Sequence, residues 1–204
     1  MNDTAGALVP QPPGAENPIT EAILSLVARV PETDEPAQAR PQARAQAIAR
    51  AAARRASVVA SSMALPPGLL GWLTLLPELL AVWRLQAQMV SDIAGVYGKS
   101  ATLTREQMLY CLFKHLGAQL FRDVVVRTGE RLLVRSASAG ALQALIRQLG
   151  IKVGQGLLGK GASRLLPLVG AVGVGAYAYF DTRQVATTAM ELFALSAESP
   201  RQPA

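Results

Sequence analysis

Apolar positions along this chain fall mostly at three- and four-residue spacing, the period of a helix with one inward face, and in two stretches the charged positions between them vanish. The first stripe is Ile19, Ile23, Leu26, Val27 and Val30, opened by Asn17 as N-cap with Pro18 at the first helical position and ended by Pro31. PETDEPAQARPQ reads as a linker by composition, and the arginine- and alanine-rich residues 36–56 predict a linker helix, since both residue types favour helix. From Ala56 to Pro77 there are 22 residues without a charge, enough by count to cross a bilayer, but Pro66, Pro67 and Gly68 interrupt them. Two apolar half-segments meeting at a turn are expected, as in a re-entrant or interfacial hairpin. The second half continues as a long helix with Trp72 and Trp83 near its apolar part, a placement that suits the water–lipid boundary.

Thr104 and Gln107 have the spacing of a capping box and predict a new amphipathic helix along Leu109, Leu112, Leu116, Leu120 and Val124, with Lys114, Arg122 and Arg127 largely outside the stripe. A basic helical stretch over 131–164 follows, loosened by glycines near its end. Leu165 to Phe180 is a second charge-free run, of 16 residues, with Pro167 near its start and Gly170 and Gly175 within it. Ala171, Gly175, Ala178 and Thr182 advance by four, three and four, giving one face of small residues that lets another backbone approach closely.

This pattern predicts an all-α protein: a bundle of long helices with an apolar Pro/Gly-interrupted hairpin and a Gly-rich C-terminal helix. Composition agrees, with aromatics at 5% and charged residues at 17%, below the roughly 25% usual in soluble domains. The net charge of +6 is uneven, for residues 1–35 carry −5 and the rest +11. The expected organisation is an acidic, largely disordered head over 1–35 with one short helix at about 18–30, the linker helix over 36–56, a helical domain over 57–196 and a frayed tail over 197–204. Arg44, Arg50, Arg54 and Arg55, in a stretch without acids, are candidates for contact with anionic lipid. A protein partner or homo-oligomer also fits, whereas nucleic acid does not, because no aromatics are interleaved with the basic residues. The N-terminus lacks the basic start and apolar core of a secretory signal, so the cytoplasmic face of a bacterial inner membrane is the expected location.

Two blocks, LPPGLLGWLTLLPELLAVWRLQAQMVSDIAGVYG and LLPLVGAVGVGAYAYFDTRQVATTAMELF, resemble the EcsC family of bacterial proteins. The likeness rests on the embedded acid of the first block, its Val96-Tyr97-Gly98 ending, and the Pro167-aliphatic-Gly-Ala motif of the second; Asp181 stands where that family more often has Asn. The resemblance spans roughly residues 57 to 195 and implies a helical, membrane-associated protein, and it supplies no catalytic residues.

Candidate chemistry is sparse. GQGLLGKG over 154–161 approaches a phosphate-binding loop but ends in Gly161, which has no hydroxyl for magnesium, and it follows a helical rather than a strand period. Cys111 and His115 stand four apart, the geometry in which a histidine activates a thiol, yet the sequence offers no third group to orient the pair. One cysteine and one histidine support neither a disulfide nor a zinc site. Glu78 and Asp92 lie on an otherwise apolar helix and need either a basic partner or water. The chain is therefore expected to be non-enzymatic, with no catalytic residue, metal, cofactor or small-molecule substrate, acting by insertion, assembly or partner binding. A soluble interaction module is the alternative, and a Cys111/His115 hydrolase the remote one.

Overall fold

A computed structural model describes residues 17–63, 71–121, 125–128, 131–134, 137–159 and 167–197. It is an all-α bundle of six helices: α1 (Pro18–Ala28), α2 (Pro41–Met63), α3 (Gly71–Val96), α4 (Arg105–Phe113), α5 (Ala139–Gly159) and α6 (Pro167–Ala197). A small antiparallel hairpin, β1 (Val125–Thr128) and β2 (Arg131–Val134), pairs Val125 with Val134 and Thr128 with Arg131 and sits against α6 and α4.

The helix starts follow local chemistry. Asn17 Oδ1 accepts from the Ile19 amide at 3.0 Å beside Pro18, and Thr104 and Gln107 form both halves of the capping box, at 3.3 and 3.1 Å. Tyr97 and Gly98 close α3. Gly98 takes φ +67°, and the amides of Gly98 and Lys99 donate to the carbonyls of Gly95 and Ala94, a double bond pattern that suits a left-handed glycine. The Tyr-Gly ending noted in the sequence is thus a helix stop.

Three sequence expectations are corrected. The stripe from Leu109 to Val124 is not one amphipathic helix: α4 ends at Phe113, and tight 3-10 turns over Lys114–Leu116 and Ala118–Phe121 lead toward the hairpin. Nor does α4 face water on one side, for every residue from Met108 to Phe113 is buried. The basic stretch is not helical throughout, since Arg131–Val134 is strand and α5 begins only at Ala139. β-branched Val124, Val125 and Val126 disfavour helix and favour strand.

The PETDEPAQARPQ segment is a strap rather than a loose linker. It lies along the C-terminal half of α3, where Thr33 Oγ1 donates to Asp92 Oδ1 at 2.8 Å, Gln88 Nε2 donates to the Glu32 carbonyl at 2.9 Å and the Gln38 amide donates to the Val96 carbonyl at 3.0 Å. A Cβ on Gly95 would stand 2.8 Å from the Glu35 carbonyl oxygen, so the strap approaches α3 at a point where only glycine fits. Helix α1, placed in the acidic head by composition, contributes Ile19, Ile23, Leu26 and Val27 to the same core as α3, α4, α5 and α6. Burying four such side chains contributes on the order of 6 kcal/mol before ordering costs.

Candidate functional site

The longest shared interface joins α2 to α6, and small residues make it. Ala45, Ala49, Ala53, Ala56 and Ala60 of α2 are buried, as are Ala178, Thr182, Ala186 and Ala189 of α6. A Cβ on Gly175 would sit 3.1 Å from the Ser57 carbonyl oxygen and would clash with Ser61 Oγ. The small-residue groove predicted at Gly175, Ala178 and Thr182 therefore exists and is filled by α2 of the same chain. The side chains at Gly170 and Ala171 lie outside the described residues, although both positions belong to α6.

This packing sets the two charge-free runs side by side. Ala56, Ala60 and Ala178 form one buried cluster with Val82 and Leu85 of α3 against it, so the second half of α2 meets the middle of α3 and the first half of α6. Val58 is 69% exposed there and Phe180 70%, with Val174 and Tyr177 also open. Arg54 and Arg55 on α2 stand within one turn of the cluster, and Arg84 lies between Val82 and Leu85 on α3. Pro66, Pro67 and Gly68 fall outside the described residues, as do the side chains of Trp72 and Glu78.

Other predicted positions resolve differently. Trp83 is not a boundary residue: it is 6% exposed and meets Phe113 edge-to-face at 5.1 Å in the core. Arg44 is held by Glu35 through two hydrogen bonds of 3.0 and 2.5 Å, which depresses the carboxyl's pKa, so it clasps the strap instead of standing free for lipid. Arg50 leans on Gln46 at 3.3 Å, and Arg54 and Arg55 are exposed. Pro167 opens α6 as its first residue. The phosphate-loop resemblance fails, because Gly154 to Gly159 lies inside α5 and Lys160 and Gly161 are outside the described residues.

A polar network is built across three helices. His115 Nε2 is 2.8 Å from Asp181 Oδ1, and Gln86 Nε2 donates to Asp181 Oδ2 at 2.7 Å and to Thr182 Oγ1 at 3.1 Å. Both members of the His115–Asp181 pair are 12% exposed. The third group missing from the sequence reading of His115 is Asp181, and no local spacing signals it because α4 and α6 are joined only by folding. Cys111 takes no part: it is fully buried, and burial pushes its thiol pKa far up despite the nearby Lys114, so the thiolate needed for attack is suppressed. Beside His115 opens a cleft of about 460 Å³ lined by Lys114, Arg183, Gln184, Thr187, Thr188 and Glu191. Among the described residues no group of three or more histidine, cysteine or carboxylate side chains could hold a metal ion, and no helix is long and apolar enough to cross a membrane.

A scan of family models, a search of characterised proteins and a search of solved structures each return no match to this chain.

Proposed function

We propose that this protein is a non-enzymatic helical bundle that docks on the cytoplasmic face of a bacterial membrane through its apolar end. One observation carries the reading: Ala56 and Ala60 of the first charge-free run pack on Ala178 of the second, while Val58, Val174 and Phe180 stand exposed on the same two helices and Arg54 and Arg55 are exposed close to Val58 in sequence. Exposed apolar residues near exposed arginines suit a surface that enters the acyl region while its cations meet lipid phosphates. From Pro167 to Phe180 α6 rises about 20 Å at ~1.5 Å per residue, against a hydrocarbon core of about 30 Å, so partial insertion is the geometry that fits. The resemblance to EcsC proteins points the same way. Assembly through the small-residue groove is not part of this proposal, because α2 already occupies it.

Flotation of the full chain with anionic and with neutral vesicles, at low and high salt and followed by alkaline carbonate extraction, tests the proposal. Co-flotation that persists in carbonate is expected. A chain that stays at the bottom of the gradient with both lipids overturns it and gives the lead to a protein-interaction module.

A further inference from the structure

Two residues that line the cleft beside His115 each carry a buried nitrogen without a partner. Nη1 of Arg183 and Nδ1 of His115 are each shut off from solvent and receive no hydrogen-bond acceptor. Both residues line the same cleft, one from α6 and one from the turn after α4. A buried guanidinium nitrogen without an acceptor is costly, and a turn of the partly exposed Arg183 side chain into the cleft brings it to an anion there. The acids nearby are engaged elsewhere: Asp181 accepts from Gln86 and pairs with His115, while Glu191 faces Lys114 at 3.4 Å. Among the described residues, Arg183 forms no ion pair, whereas Lys114 of the same cleft faces Glu191.

The cleft also has a defined height. Phe180 is exposed at the apolar end and Arg183, three residues on, faces the cleft, so the cleft opens about one helical turn, roughly 5 Å, below the apolar end.

We infer that this cleft binds a phosphate monoester or diester, with Arg183 and Lys114 supplying donors and His115 joining them when it carries both ring protons. That the phosphate belongs to a lipid headgroup rests on the membrane reading above; the phosphate chemistry does not. A single histidine in the chain makes the test direct, since every imidazole nitrogen signal comes from His115. The full-length protein, labelled with nitrogen-15, is titrated at constant ionic strength with inorganic phosphate, glycerol 3-phosphate and dihexanoyl phosphatidic acid below its micelle concentration.

Saturable movement of the His115 signals is expected, with R183Q weakening the apparent affinity at least tenfold and the exposed R147Q leaving it unchanged. Tighter binding of the dihexanoyl lipid than of inorganic phosphate assigns the site to a headgroup, and equal binding assigns it to a free phosphate; both sustain the inference. Unmoved wild-type His115 signals with all three probes overturn it whether or not R183Q folds. So does an equal loss in R147Q and R183Q, which marks general charge attraction. Because no vesicle is present, failure here leaves the flotation result standing, and failed flotation leaves this result standing.

Discussion

His115 and Asp181 meet at 2.8 Å between the turn that follows α4 and the middle of α6, at the level where the apolar end of α6 gives way to its polar half. Gln86 holds the other carboxylate oxygen at 2.7 Å, so the aspartate ties three helices together. With little water to compensate, each partner depends on the others.

Replacing Asp181 separates charge from geometry. Asp181→Ala leaves His115 Nε2 without its acceptor and Gln86 Nε2 with Thr182 Oγ1 alone, in a site 12% exposed, and a loss of about 3 kcal/mol is expected. Asp181→Asn keeps an acceptor for His115, and a flipped Gln86 amide can accept from the new side chain, so about 1 kcal/mol is expected. Urea denaturation of the two variants checks the ordering. Equal losses would mean that the carboxylate charge, and not the hydrogen-bond geometry, holds the junction.

Two glycines of α6 should respond in opposite directions. Nothing lies within 4 Å of a Cβ on Gly173, so Gly173→Ala should stabilise by up to about 1 kcal/mol through helix propensity. Gly175 faces the Ser57 carbonyl at 3.1 Å, and Gly175→Val should cost about 2–3 kcal/mol by forcing α2 away. Thermal unfolding of both variants in one buffer reads the contrast, and a neutral Gly175→Val would show that α2 and α6 are less closely packed than described.

How much of this was readable beforehand depends on the range of the interaction. The caps at Asn17 and Thr104 and the small face through Gly175 and Ala178 were legible, because their logic is complete within one or two turns. The contact of His115 with Asp181, the clasp of Thr33 on Asp92 and the burial of Trp83 against Phe113 were not, since each joins residues that only tertiary packing brings together. The break after Phe113 escaped because the apolar spacing continues to Val124 while the valine run beyond it favours strand.

The strap gives a local test of one of those long-range contacts. Gly95→Ala places a Cβ 2.8 Å from the Glu35 carbonyl oxygen and 2.9 Å from the Thr33 methyl, which should lift the strap from α3. Trypsin should then cut after Arg29 several-fold faster, while Arg40 stays protected by the proline that follows it. Timed digestion followed by mass spectrometry measures the ratio. Unchanged cleavage after Arg29 would show that the Asp92 and Gln88 hydrogen bonds hold the strap without close packing at Gly95.

Cys111 predicts an alkaline effect with a definite sign. Its folded pKa lies far above the ordinary thiol value of 9.0 because the buried site penalises the thiolate. The thiol's contribution is therefore complete below pH 9.0 and fades above it, as the unfolded chain ionises and the folded chain does not. Cys111→Ala removes this term, so the stability gap between wild type and variant should narrow by about 1.4 kcal/mol per pH unit above that point. Urea midpoints from pH 7 to 10.5 follow the gap, and a constant gap would mean that the thiol reaches solvent.

The apolar end yields the sharpest prediction for the membrane reading. Phe180, 70% exposed, meets the adjacent Tyr179 ring at 5.7 Å, so Phe180→Glu should leave the unfolding free energy within about 0.5 kcal/mol of wild type. In a docked molecule the same position lies in the acyl region. Losing an aromatic there forgoes roughly 2 kcal/mol of burial, and a carboxylate adds repulsion from anionic headgroups, so vesicle affinity should fall at least thirtyfold. Arg54→Gln with Arg55→Gln should instead weaken binding to anionic vesicles alone, because those side chains meet headgroup charge and not the acyl chains. A Phe180→Glu protein that folds normally and floats like wild type would place the contact surface elsewhere on the bundle, whatever the arginine variants do.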